Sequence, residues 1–271
     1  MSQINFIPDY AAFLCAAHAS FATSKGSVSL RRPMFGFKPK PHAKPWKPVL
    51  KEALAPGCSG VILEFGVYKG KTLEFLAQQH PASRLHGFDS FAGFPADGRV
   101  DWQQNMSVRS LPIMPKNVLL HAGFFEQTLP KFIQNHKIDL KEISLIHIDC
   151  DLYSSTKTVL TNLSSYLGPG TVIVFDELMN YHEFASNEFL AFFEFLRNSD
   201  LDFEWLATTG KAFPILENNA VLPAWGFAEF RSNGYYQNQA VRLVPRSQGQ
   251  HFAAPPAPAE MVKIIAEQLL S

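Results

Sequence analysis

Cysteine is scarce in this chain of 271 residues: Cys15, Cys58 and Cys150 lie far apart and form no C-x-x-C pair. That spacing excludes a disulfide framework and a cysteine-built zinc site, and it suits a reducing, cytoplasmic setting. An excess of charge is lacking too, with 24 Lys+Arg against 24 Asp+Glu. A net charge of zero gives no overall electrostatic reason to bind nucleic acid or an anionic membrane. No apolar run reaches the roughly 20 residues that a membrane-spanning helix needs. The segment Ala11 to Ala17 has the composition of a short signal core, but it follows Asp9 and has no basic flank, so it reads as the start of a helix or strand. No internal repeat is visible. Hydrophobic residues at 46% against 18% charged argue against wholesale disorder, which leaves a soluble globular protein.

From Lys25 to Lys51 eight residues are basic and none acidic, and Pro33, Pro39, Pro41, Pro45 and Pro48 punctuate the stretch. Proline fixes φ and restricts the residue before it. Residues 1–50 therefore read as an extended basic arm, either a solvated extension or a flap over a site for an anionic substrate. From Val61 onward, short β-branched runs alternate with helical spacing. Strands are expected at 61–65, 85–89, 117–121, 144–149 and 171–176, and helices at 72–77, 155–167 and 187–197. Gly168-Pro169-Gly170 stops the second helix, and Phe189, Phe192, Phe193 and Leu196 of the third fall at core-facing spacing. This alternation implies βαβ units around a buried parallel sheet. Residues 202–208 and 239–244 read as late strands that pair antiparallel at one sheet edge. The main domain is placed at 51–247, followed by a Pro/Ala-rich linker and an amphipathic helix at 259–270. The arm and this helix are candidate contacts of a homodimer.

Chemistry concentrates at three strand ends. Glu64-Phe65-Gly66-Val67-Tyr68-Lys69-Gly70 puts an acid and two glycines in a strand-to-helix turn. Glycine there permits a tight turn and a close ligand, and the helix N-terminus supplies N–H donors. Tyr68 stands where the dinucleotide fingerprint needs its second glycine, which disfavours a nicotinamide dehydrogenase. Glu64 suits a cationic ammonium better than a pyrophosphate. Asp89 closes the second strand, where an acid accepts hydrogen bonds from both ribose hydroxyls or caps a turn. Asp149 and Asp151 end the fourth strand, and Asp176 and Glu177 the fifth. If these strands are neighbours, four carboxylates converge at the rim where open α/β sheets bind ligands. Clustered negative charge is costly without a cation. Oxygen donors without a Cys/His set point to Mg2+, Ca2+ or Mn2+. The plainer alternative is that these acids cap the helices that follow.

The strings EFGVYKG (64–70), GFDSF (87–91), HIDCDLYSST (147–156) and PGTVIVFDE (169–177) together resemble the macrocin O-methyltransferase family, over roughly residues 61–206. The resemblance implies a Rossmann-like class I methyltransferase fold, with a mostly parallel seven-stranded sheet, one antiparallel edge strand and helices on both faces. It further implies a divalent-metal-assisted O-methyltransferase that uses S-adenosyl-L-methionine, with Mg2+ or another divalent cation. The acceptor would be a hydroxyl of a sugar-containing or other diol-bearing small molecule. Carried over, Glu64, Gly66 and Gly70 line the methionine end of the cofactor, with Tyr68 and Thr72 from the same turn and Asp149 from the neighbouring strand. Asp89 holds the ribose, with Ser90 and Phe91 near the adenine. Asp149, Asp176 and Glu177 hold the metal, although Glu177 stands where the sugar-modifying members carry aspartate.

Methyl transfer needs an acceptor oxygen in line with the sulfonium methyl and partly deprotonated, which a divalent cation promotes. Asp149 or Asp151 could take the proton. His147, inside an apolar strand, reads as a core residue. His182, just after the acidic pair, is expected to face the cleft as a substrate contact or auxiliary base. Two rival readings are a haloacid-dehalogenase-like phosphatase, since Asp149-x-Asp151 imitates its acid pair, and a methyltransferase-like binding protein without activity. Tyr153 breaks the phosphatase pattern.

Overall fold

Short runs of Val, Ile, Leu and Phe build the centre of this computed structural model, which describes residues 6–23, 46–54, 60–95, 106–136, 143–210, 212–215 and 222–270. The first five strands are β1 (Val61–Phe65), β2 (Arg84–Asp89), β3 (Val118–Ala122), β4 (Ile143–Ile148) and β5 (Val172–Phe175). Two later strands are β6 (Leu201–Gly210) and β7 (Tyr235–Pro245). Among the described residues, eight α-helices frame them: α1 (Ile7–Thr23), α2 (Trp46–Ala53), α3 (Lys71–Gln79), α4 (Phe125–Asn135), α5 (Tyr153–Leu163), α6 (Glu188–Arg197), α7 (Phe227–Ser232) and α8 (Ala259–Leu270). The sheet order is β3-β2-β1-β4-β5-β7-β6, with β1 pairing β2 on one side and β4 on the other. All five central strands run parallel. This is the mostly parallel seven-stranded sheet expected, with helices on both faces. The strand that runs against the rest is β7, and it lies one place in from the edge, between β5 and β6.

Side chains alternate across a strand, so each strand feeds two cores. Val61, Leu63 and Phe65 of β1 join the core under α1, α5 and α6, while Ile62 joins the one under α2 and α3. Phe189, Phe192, Phe193 and Leu196 of α6 are all buried in the first core, as their spacing predicts.

Two stretches differ from expectation. Residues 24–45 of the basic arm lie outside the described residues, but residues 46–53 are helical rather than extended. Pro48 is the third residue of α2, within the first turn, where a missing N–H costs nothing. Val49, Leu50 and Ala53 of this helix are buried, and the expected boundary at 50/51 falls inside it. Within the same expected arm, Ala11–Ala17 belongs to α1, whose Tyr10 and Phe13 rings pack at a tilt against Phe189 and Phe193 of α6. The terminal helix α8 turns Met261 and Ile265 into the same core. Among the described residues, no helix is long and apolar enough to cross a membrane.

A buried polar staple joins the two ends of the chain. His251, in the stretch expected to be a linker, donates Nδ1–H to Asp202 Oδ1 at 2.6 Å, and its Nε2 lies 2.9 Å from Ser20 Oγ of α1. The Trp205 indole N–H donates to the same Ser20 oxygen at 3.0 Å. The serine, histidine and aspartate are arranged like a hydrolytic triad, but Ser20, Asp202 and His251 are buried and line neither of the cavities described here. Burial raises the Asp202 carboxyl, the His251 ring together with the backbone N–H groups of Phe203 and His251 lowers it, and the net direction is down. Replacing His251 with Ala strands that buried carboxylate and is expected to cost about 3 kcal/mol or more in urea unfolding. A loss under about 0.5 kcal/mol would show that the staple does not hold the fold.

At the opposite margin, His86 Nδ1 and His121 Nε2 lie 3.0 Å apart, with His121 stacked on Phe88 and edge-on to Phe132, and His136 of the α4 end beside them. Burial and the neighbouring His136 push His121 down from 6.5 to about 4. A base buried in its neutral form stabilises fully above its unfolded pKa. That contribution is therefore present above about pH 6.5 and is lost progressively as pH falls toward 4. His121→Phe is expected to flatten this part of the stability–pH curve, read from urea midpoints between pH 4 and 7.

Candidate active site

Sheet register assembles the site. Phe65 of β1 pairs with Phe88 of β2 and Ile148 of β4, and Ile148 pairs with Phe175 of β5. The residues that follow these four, Gly66, Asp89, Asp149 and Asp176, therefore emerge at one level of the carboxyl rim. The Gly66 N–H donates to Phe88 O at 2.9 Å, Asp149 N–H to Phe65 O at 2.8 Å, and Asp176 N–H to Ile148 O at 2.9 Å. This rim lies at the β1/β4 switch point, where crossovers leave to opposite faces and open a crevice.

Gly66 is a strict requirement of this geometry. Its φ is +96°, and a Cβ there would sit 1.7 Å from the Asp149 carbonyl oxygen. The turn beyond it is clamped by Asp89, whose Oδ2 accepts the N–H groups of Val67 (2.9 Å) and Tyr68 (2.7 Å) while Oδ1 accepts that of Phe91 (2.6 Å). The expected ribose ligand is thus also the residue that shapes the loop. Tyr68 takes a left-handed φ of +48°, and the Lys69 ammonium lies 4.7 Å from its ring centroid. The Ser90 hydroxyl donates to Gly93 O at 2.6 Å.

A cleft of about 690 Å³, part of it open to solvent, sits over this rim. Its lining includes the expected Gly66, Tyr68, Asp89, Ser90, Asp149 and Asp151. Glu64, Gly70, Thr72, Phe91, Asp176, Glu177 and His182 are not among its lining residues. Gly70 instead packs its backbone against Met114 and Pro112, and Phe91 is buried in the second core. His182 offers its carbonyl to Gln268 of α8 at 2.9 Å, on the side of the terminal helix. Sequence reasoning missed Gly93, Phe94, Pro95, Met106, Phe124, Phe125, Glu126, Cys150 and Ser155, which complete the lining. Phe124–Glu126 follow the end of β3 on the same rim and could have been inferred from that. Met106 carries no such signal.

Behind the cleft, one ligand atom from each of His147, Asp149 and Asp176 lies within 4.8 Å of the others. His147, expected to be a plain core residue, donates Nδ1–H to Glu64 Oε2 at 3.1 Å, and both residues are buried. Its Nε2 and the second Glu64 oxygen have no hydrogen-bond partner among the described residues. Glu177 lies outside this trio; its carboxyl shares a hydrogen bond with Asp151. Asp149 is pushed well above the usual carboxylate range by burial, then by Asp176 and Asp151. Burial also raises Asp176, against His147, Arg231 and Asn238, which favour its charged form. Glu177 and the fully buried Glu188 at the start of α6 are raised well above their usual value by burial and then by Asp151. So many acids crowded together match a site that receives a cation.

The seven-stranded, mostly parallel sheet with antiparallel β7 is the Rossmann-like fold that the sequence leads one to expect. Residues 63–178 match the family model described as a methyltransferase domain. A curated relative from Streptomyces olivaceus, 8-demethyl-8-(2,3-dimethoxy-alpha-L-rhamnosyl)-tetracenomycin-C 4'-O-methyltransferase, is 26% identical over 153 residues, covering 47% of this chain and 56% of the relative. The match thus spans little more than half of that relative's length. Among solved structures, a calicheamicin methyltransferase is 23% identical with a TM-score of 0.42, over 68% of this chain and 72% of that one. The MycE methyltransferase of the mycinamycin pathway, solved with Mg and S-adenosylhomocysteine, is 11% identical with a TM-score of 0.39, over 70% and 46%. The phosphatase alternative finds no support in these relatives.

Gly66→Ala is expected to cost roughly 3 kcal/mol or more, because the obstacle is backbone and cannot rotate away. Gly168→Ala, where an added Cβ meets nothing within 4 Å, is the control and should stay within about 0.5 kcal/mol. Equal urea midpoints for the two variants would contradict the close approach of β1 to β4.

Proposed function

We propose that the protein is an S-adenosylmethionine-dependent, divalent-metal-assisted O-methyltransferase acting on a hydroxyl of a sugar-containing or other diol-bearing small molecule. The observation that supports this most is the meeting of Asp149 and Asp176, from two separate strands, beside the Gly66–Asp89 turn. The S. olivaceus relative, named for 4'-O-methyl transfer on a rhamnosyl tetracenomycin, supports a sugar hydroxyl as acceptor. In this reading the cofactor lies along Gly66, Tyr68, Asp89 and Ser90, with the apolar faces of Phe94 and Phe124 suited to its adenine. Asp89 has at most about one lone-pair site left after its three backbone contacts, enough to accept one ribose hydroxyl. A cytoplasmic setting accords with the three dispersed cysteines.

The donor set fits a divalent cation. Asp149 and Asp176 would hold it, and His147, oriented by Glu64 through its other ring nitrogen, is the third donor the geometry provides. Glu177, the third ligand implied by the family resemblance, would have to release Asp151 to take part. When bound, the ion would supply Lewis-acid acidification of the acceptor hydroxyl. Asp149 faces the cleft and is a base within reach of such a hydroxyl; Asp151, on the same lining, is the alternative. The apolar walls at Phe94, Pro95 and Met106 exclude water from the donor methyl.

Asp149→Asn is expected to lower turnover roughly a hundredfold or more. The measurement is transfer from methyl-labelled S-adenosylmethionine to a panel of glycoside and catechol acceptors, with and without EDTA. S-adenosylhomocysteine should still bind the variant by calorimetry. Full activity in excess EDTA, or unchanged turnover in the variant, would reject the mechanism.

A further inference from the structure

The pairing of β5 with β7 extends one step beyond the strand itself. Phe175 faces Gln239, so Asp176 faces Asn238 across the antiparallel pair. Asn238 is 1% exposed, and its amide Nδ2 donates to the Asp176 carbonyl at 3.0 Å and also to Asp176 Oδ1. Chemistry fixes which way this amide points, since the flipped amide would set its oxygen against a carboxylate oxygen.

The neighbours of Asn238 have different tasks. Gln237 donates to Asn180 O at 2.9 Å and accepts from Arg231 Nε at 2.8 Å. Gln239 accepts the Met179 N–H at 3.2 Å. Those two amides hold the chain that follows β5; Asn238 alone of the three is spent on an acid of the candidate site. Its Oδ1 has no hydrogen bond among the described residues. A buried acceptor left unpaired costs stability, so packing does not account for an asparagine here, whereas the donation to Asp176 does.

We propose that Asn238 is a positioning residue for the metal site: it pins Asp176 through one oxygen and leaves the other for the group formed with His147 and Asp149. This rests on the metal-assisted reading above. Carboxylates that act as ligands are commonly held by such outer partners, whose loss weakens metal binding roughly 10–100-fold.

The test is a Mn2+ titration of the full-length protein followed by electron paramagnetic resonance, in wild type, Asn238→Ala, Asn238→Leu and Asp176→Asn. S-adenosylhomocysteine affinity is measured in parallel by calorimetry. Leucine keeps the branched outline of asparagine and removes both polar atoms, so it guards against a cavity effect in the alanine variant. The expected result is Mn2+ affinity reduced about tenfold or more in both Asn238 variants, with S-adenosylhomocysteine affinity unchanged. If Asp176→Asn abolishes binding while both Asn238 variants bind Mn2+ like wild type, the positioning role is overturned and the metal site stands. Wild type that binds no Mn2+, or an Asp176→Asn protein that binds it normally, overturns both. Loss of a cooperative melt in both Asn238 variants would also overturn the proposal, by making the residue part of the fold.

Discussion

Parallel register across β2, β1, β4 and β5 is the constraint on which the site depends. Each of these strands is short and buried, and Gly66, Asp89, Asp149 and Asp176 sit at or one position past the strand ends, with His147 still inside β4. A slip of one residue in any pair would turn the exiting acid toward a helix layer, because side chains alternate faces. The two hydrophobic cores on either side of the sheet oppose such a slip, since it would exchange their contributions. Fold stability and site geometry are thus consequences of the same pattern of Val, Ile, Leu and Phe.

The low dielectric of the strand ends gives the acids their character. Asp149, Glu177 and Glu188 are each disfavoured as anions first by burial and then by the neighbouring Asp151 and Asp176. Hydrogen-bond donors reach several of the acids: Asp176 has Asn238, Glu64 has His147, and the backbone N–H groups of Cys150 and Asp151 favour the charged form of Glu188. On the other side of the cleft Asp89 accepts three backbone N–H groups and so shapes the loop.

Much of this was legible in the residues, for a physical reason. Strands β1 to β5 announce themselves because both faces are buried, which demands continuous apolar runs, and the Gly66 turn and the acids at 149 and 176 follow directly from where those runs end. Other features had no local signal. Nothing in a helical spacing says that α1 will cover α6, or that His251, amid Pro and Ala, will bury itself against Asp202; these are long-range contacts. His147 was assigned to the core because its strand is apolar. It is buried, as expected, and it also lies beside Glu64, Asp149 and Asp176. Pro48 suggested an extended arm, whereas a proline within the first turn of a helix is compatible with α2. His182 follows the acids in sequence yet leaves with the chain toward α8, since the backbone turns away at Asn180, where φ is +68°.

The Asp89 clamp has a kinetic meaning. Its three backbone contacts mean that the Val67–Phe91 region already has its shape before any ligand arrives. The conformational entropy of that loop was surrendered when the chain folded, so it is not subtracted again from the affinity of an incoming molecule. Recognition at this wall is closer to a key meeting a cut lock than to a hand closing. A mutation that frays the end of β2, far from any reacting atom, would then weaken ligand capture by unfreezing the lock.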